Sequence, residues 1–168
     1  MIEHQRPARR SAPTEGVCAE CTAIIVAQGV RPALEFLNGR TRFRFSGIYR
    51  VDPPLLCNVV LFDRENPDVN LSGEVTQLDD TYCALTYASG PFETADSLSD
   101  ARLAHHAARN AIISYAGVPL RLSNGHLWGT LCHFDVRPRL LPLGERSVLE
   151  SVAPAFVASI QQHESRPA

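Results

Sequence analysis

The chain has 168 residues, 45% of them hydrophobic, and a formal net charge of −2, which fits one domain able to bury a single sizeable core. All 16 basic side chains are arginine, which excludes Schiff-base lysine chemistry and a phosphate-loop lysine and leaves no polybasic patch for nucleic acid or a membrane surface. No apolar run reaches the ~18 residues that span a bilayer, no signal-peptide core opens the chain, and five cysteines lack disulfide-framework spacing, so reduced thiols in the cytoplasm are expected.

Residues 1–15, with Arg6, Arg9 and Arg10 among proline and serine, read as a disordered tail, and 164–168 as another; 16–163 read as the domain. Over 17–38 the apolar positions Cys21, Ile24, Ile25, Leu34 and Leu37 keep helical spacing, interrupted at Gly29 and Pro32, which predicts one helix in two pieces. Thr41 to Arg50 alternates as a half-exposed strand, an Asp52-Pro53-Pro54 turn follows, and Leu55 to Asp63 is a second strand. Residues 64–78 read mostly as loop. A short helix is expected over Asp79–Ala88, a short strand over Phe92–Ala95 and a helix from Ser99 or Asp100 to Arg109. Two strand-length runs around Ser123-Asn124-Gly125 make a β-hairpin, since Asn-Gly tolerates positive φ. After Pro142, Leu149, Val152, Phe156 and Ile160 form the stripe of a last helix, with Pro154 inside it.

The wording of the hairpin carries more than its pattern. Tyr115-Ala116-Gly117-Val118-Pro119-Leu120 and Gly129-Thr130-Leu131-Cys132-His133-Phe134-Asp135, running into Arg137-Pro138-Arg139, resemble the last two strands of the GAF sensor domain. Upstream, 42–50 and 58–67 are similar to its first two strands, and 80–83 and 96–102 to the crossover that roofs its pocket, so the resemblance spans about Ala23 to Ile160. It implies a stand-alone, bacterial-type α+β protein with a GAF-like (profilin/PAS-like) antiparallel sheet of five or six strands. Terminal helices would pack on one face, and short helices and loops would cover a ligand pocket on the other. The implied function is small-molecule sensing, with occupancy passed to a signalling partner or dimer mate. Apolar stripes on the terminal helices imply a homodimer through residues 18–38 and 145–162.

Candidate ligand-binding residues follow from the resemblance. The roof offers Tyr82, Cys83, Phe92, Asp96, Asp100, Arg102 and His106, where a helix start and a guanidinium would favour an anionic group. The sheet offers Tyr115, Gly117, Trp128, Thr130 and Cys132, which share one face if strand alternation holds throughout. Gly117 would leave space above the sheet for a planar ligand stacked on Tyr115 or Trp128.

Other chemistries fit less well. Cys18-Ala19-Glu20-Cys21 lacks a second ligand pair for zinc and a preceding strand for redox use, so ordinary helix cysteines and no metal are expected. The Cys-His pair that carries bilin in phytochrome-type GAF domains would fall at Ala104-His105-His106-Ala107, where no cysteine stands; covalent bilin is not expected. Free methionine-R-sulfoxide reductase, a GAF-domain enzyme, is the catalytic alternative. Cys83 falls near one of its cysteines, but its catalytic cysteine would fall close to Ala108. A domain serving only dimerisation or docking, its pocket filled by its own side chains, is the remaining alternative. No catalytic residue is assigned.

Overall fold

The computed structural model describes residues 12–167. Helices α1 (Ala12–Gln28) and α2 (Val30–Gly39) lead into strands β1 (Phe45–Asp52) and β2 (Leu55–Asp63). There follow β3 (Val75–Gln77), α3 (Cys83–Ser89), β4 (Phe92–Thr94), β5 (Ser114–Arg121), β6 (Leu127–Asp135) and α4 (Glu145–Glu164). The six strands form one sheet in the order β3-β2-β1-β6-β5-β4, antiparallel at every pairing. The α+β class and the layering match the sequence-based expectation. Residues 12–15, placed in the tail by composition, are helical; the rest of that tail, 1–11, and residue 168 lie outside the described residues.

Local signals account for the boundaries. Gly29 ends α1 at a φ of +100°, its N–H bonded to the Ile24 and Ile25 carbonyls, a conformation that L side chains rarely adopt. Pro32 then falls in the first turn of α2, where a missing N–H breaks no helical bond. At the hairpin tip Gly125 takes a φ of +85° and Leu122 exchanges backbone bonds with Gly125 and His126. Asp135 fixes the exit of β6, accepting from the Arg44 N–H, the Arg137 N–H and the Arg139 guanidinium at 3.0, 3.0 and 2.8 Å.

The sheet separates two cores. On one face Cys21, Ile25, Leu34, Leu37, Leu149, Val152 and Phe156 of the long helices pack on Ile48, Val118, Leu120 and Leu131. The inward stripes of 18–38 and 145–162 are therefore spent within the protomer; on the outer surface of α1, Val26 is 83% exposed. On the other face Leu56, Leu78, Tyr82, Cys83, Leu103, Tyr115 and Cys132 form a second, smaller core beneath the crossover. Among the described residues no helix is long and apolar enough to cross a membrane.

Three expectations need correction. The helix over 99–109 is replaced by a 3-10 turn at Ala101–Leu103 and a series of tight turns. The reason is local: the Asp100 carboxylate accepts the Arg102 N–H, and His106 Nδ1 takes the Ala108 N–H that would have continued a helical ladder. Residues 64–78 include β3, short and wholly exposed, paired with Leu55–Cys57. Finally, a β-bulge pairs Leu120 with Gly129 but Arg121 with Leu127, leaving Trp128 as the extra residue. Trp128 therefore turns to the helix-side core.

Candidate functional site

Between the sheet and the crossover lies a cavity of about 210 Å³, below the ~300–1,000 Å³ of most drug-sized sites and suited to a compact molecule. The cavity draws its wall from separated elements. β1 contributes Tyr49 and β2 contributes Leu56 and Asn58, while Glu74, Thr76, Asp80 and Thr81 come from the edge around β3. Tyr82 and Cys83 close it at α3, Ala108 and Ile112 from the crossover, and Tyr115, Cys132 and Phe134 from β5 and β6.

Of the twelve residues expected to bind ligand, Tyr82, Cys83, Tyr115 and Cys132 line this cavity. Thr130 stands directly behind it, its hydroxyl donating to Cys83 Sγ at 3.2 Å. Gly117 faces the same side, yet the space above it is taken: a Cβ there would lie 2.2 Å from Tyr115 Oη. The Tyr115 ring thus fills the room expected for a planar ligand. Phe92 packs behind the tyrosines, 6.3 Å from both the Tyr82 and the Tyr115 rings.

The polar roof residues are committed to the roof itself. Asp96 accepts from Leu98 N–H and Ser99 Oγ at 3.0 Å each. Arg102 bonds Asp100 through both carboxylate oxygens, donates to the Glu93 carbonyl at 2.9 Å and stacks over Phe92 at 4.7 Å. That guanidinium, first through its hydrogen bonds, holds the Asp100 carboxyl down at about 2. His106 lies against Tyr82 at 4.7 Å, outside the cavity wall. With no helix over 99–109 and the Arg102 guanidinium spent on Asp100 outside the cavity wall, the expected anion site is not assembled. Trp128 stands on the opposite face, as described.

The wall is instead acidic and aromatic. Glu74 and Asp80 supply carboxylates, and among the described residues the wall contains no cationic side chain. Burial pushes the pKa of the Tyr49 phenol well up, and beside it in the wall Asn58 Oδ1 is buried with no partner. Tyr82 donates its hydroxyl to the Ile112 carbonyl at 3.0 Å, tying the start of α3 to the end of the crossover.

The two cysteines occupy the floor together. Cys83 Sγ accepts from Thr130 and, at 3.6 Å, from the Tyr115 hydroxyl, which itself lies 3.0 Å from Thr86 Oγ1. Hydrogen bonding, first from the Cys132 thiol, lowers the Cys83 pKa despite burial; burial and the Cys83 charge raise that of Cys132. Elsewhere, burial pushes the Cys21 thiol up to about 12. His133, adjacent to Cys132, points to the other face as alternation requires, where its Nδ1 meets Ser46 Oγ at 2.6 Å.

Sequence reasoning missed Tyr49, Leu56, Asn58, Glu74, Thr76, Asp80, Thr81, Ala108, Ile112 and Phe134. The Tyr49 alternation was visible in the strand, but Asn58 sits in an apolar run where it resembled a strand interruption. Glu74 belonged to a segment with no periodicity, and Asp80, though within the stretch 80–83 that resembles the pocket roof, was not singled out as a ligand contact.

Residues 18–160 match the family model of the GAF domain. Among solved structures, the GAF domain of an Acinetobacter phosphoenolpyruvate-protein phosphotransferase superposes with a TM-score of 0.70 at 13% identity, over 94% of this chain and 98% of that one. Free methionine-R-sulfoxide reductase from Neisseria meningitidis, in complex with its substrate, gives 0.65 at 17% identity, over 95% and 97%. The phycocyanobilin-bound GAF domain of a cyanobacterial phytochrome gives 0.65 at 17%, over 94% and 100%. At these identities the likeness shows the fold alone. No curated protein matches the sequence.

Proposed function

The chain belongs to the GAF domain family, and on that premise we propose that it is a sensory module whose cavity takes up a compact small molecule and reports its occupancy to a signalling partner. The observation that carries this reading is Asn58, a residue of the cavity wall whose Oδ1 is buried and unpartnered. An unsatisfied buried acceptor costs about 1–3 kcal/mol, which a ligand N–H or O–H recovers once the amide turns into the cavity. Glu74 and Asp80 favour a neutral or cationic ligand over an anion, and Tyr82, Tyr115 and Phe134 offer it apolar and aromatic contact. The ligand class is therefore a compact hydrogen-bond donor, such as a small amine or amide.

Ligand binding to the native state stabilises by about 2.7 kcal/mol at a hundredfold excess over Kd, or roughly 5–11 °C for a domain of this size. A thermal-shift series of small amines, amides and carboxylates should give hits among the first two classes. Asn58→Leu should leave the apoprotein folded and abolish the shift, and Glu74→Gln should weaken it for amines only. If both variants keep the full shift, binding occurs elsewhere; if no compound shifts the wild type, the docking-module reading takes its place.

The reading is of a binder rather than a catalyst. Ala108 lies in the cavity wall where the likeness to the sulfoxide reductases calls for the catalytic cysteine. Turnover of free methionine-R-sulfoxide with a dithiol reductant is expected to be absent, and its presence would make the chain an enzyme.

A further inference from the structure

We propose that Cys83 and Cys132 form a peroxide-reactive dithiol in the cavity floor, in which a small hydroperoxide oxidises Cys83 and Cys132 then closes a disulfide onto it. The proposal is independent of which ligand the cavity binds.

Both thiols are buried, Cys83 at 3% and Cys132 at 0% exposure, yet both belong to the cavity wall, so the cavity is their route to a solute. The surroundings of Cys83 are those of a thiolate rather than of a packing residue. A buried cysteine that only packs behaves as a small hydrophobe and needs no donors. Cys83 Sγ instead receives the Thr130 hydroxyl at 3.2 Å and the Tyr115 hydroxyl at 3.6 Å, and the Cys132 thiol of the same cavity wall adds to the hydrogen bonding that lowers its pKa. Thr86 sits 3.0 Å behind Tyr115, so its hydroxyl can donate to the phenol while the phenol donates to sulfur. The two hydroxyl donors come from β5 and β6 and Cys83 stands on α3, so the fold converges them on one atom.

The two sulfurs are not equivalent. The same hydrogen bonds that lower the Cys83 pKa make Cys132 the donor, and burial keeps Cys132 protonated. Cys83 is therefore the attacking group and Cys132 the resolving one. In the first step Cys83 sulfur attacks the distal oxygen of ROOH: an S–O bond forms, the O–O bond breaks, and the alkoxide leaves as ROH with the proton released from Cys83. Cys83 becomes a sulfenic acid, oxidised by two electrons. In the second step Cys132 sulfur attacks Cys83 sulfur; the S–O bond breaks, the thiol proton and the hydroxyl leave as water, and the disulfide remains. Closing that bond draws α3 towards β6 and removes the Cys83 donors' target, so the oxidation state would be written into the cavity floor.

The test uses the full chain, fully reduced, treated with near-stoichiometric hydrogen peroxide, quenched, alkylated and mapped by peptide mass spectrometry. Cys18, Cys21 and Cys57, outside the cavity wall, serve as internal controls. A Cys83–Cys132 cross-link with the three controls still alkylated is the expected result. Cys132→Ser should halt at a Cys83 sulfenic acid that dimedone captures, and Cys83→Ser should leave Cys132 reduced at the same dose. Thr130→Val, which keeps side-chain shape, should slow oxidation about three- to tenfold, since losing one donor to the thiolate lowers its fraction more than it raises its nucleophilicity. Circular dichroism confirms that each variant keeps the native fold. The proposal is overturned if a control cysteine oxidises first, if Cys83 reacts only after unfolding, if no 83–132 link forms, or if Thr130→Val reacts at the wild-type rate.

Discussion

Lowering the pH through the weakly acidic range should destabilise this protein because of one histidine. His133 is fully buried on the helix side of the sheet, stacked at 5.8 Å on Phe43, with Nδ1 at Ser46 and Nε2 unpartnered. Burial, assisted by the Arg64 charge, pushes its pKa from 6.5 down to about 4. The unfolded chain therefore takes up this proton from about pH 6.5 downwards while the native state takes it up only near 4. Between those values the unfolded state binds more protons, so stability falls as pH falls, and the loss levels off below about 4. From about pH 7.5 to about pH 4.5 the shift amounts to about 2.5 kcal/mol, or roughly 5–10 °C in Tm. Asp63 and Asp100, held down at about 2, contribute only below this window. Urea unfolding followed by Trp128 fluorescence at both pH values, on wild type and His133→Gln, isolates the term. The glutamine keeps a hydrogen-bonding group towards Ser46 and offsets both pH values equally, so the wild type alone should show the loss. Equal pH slopes in the two proteins, or a His133 ring resonance titrating near 6.5, would refute the reasoning.

Gly117→Ala places a Cβ 2.2 Å from Tyr115 Oη; the displaced ring should cost about 1–3 kcal/mol in chemical denaturation and slow Cys83 oxidation. Asp135→Ala removes the acceptor shared by Arg44, Arg137 and Arg139 and should cost about 2–3 kcal/mol by the same measurement. Arg102→Ala breaks an exposed pair outside the cavity wall, so stability should change by less than about 1 kcal/mol and ligand-induced thermal shifts should persist. Dimerisation through 18–38 and 145–162 would have to use the outer helix faces around Val26; light scattering should then give twice the chain mass, reduced to one by Val26→Glu, and a monomeric wild type removes the dimer.

The sequence by itself determined whatever depends on neighbours along the chain. Leu55 to Asp63 is a strand because its apolar run is bounded by Asp-Pro-Pro and a polar loop, and β2 has those limits. Gly29 and Gly125 punctuate the fold where positive φ is needed, and alternation sends Cys132 and His133 to opposite cores. With the wording of the hairpin, this was enough for the fold family and for the cavity-side placement of Tyr82, Cys83, Tyr115 and Cys132. The tertiary structure alone decided how each side chain is spent. Trp128 left its predicted face because a bulge depends on the register of the partner strand, which no residue in β6 announces. Arg102 looked like a ligand contact until the fold set its guanidinium, already paired with Asp100 two residues away, over the Phe92 ring and on the Glu93 carbonyl. Asn58, Glu74 and Asp80 meet across a cavity because β2, the β3 edge and the turn before α3 close around it. The free energy of a buried polar group is set by what stands opposite it in space, and that partner is rarely adjacent in sequence.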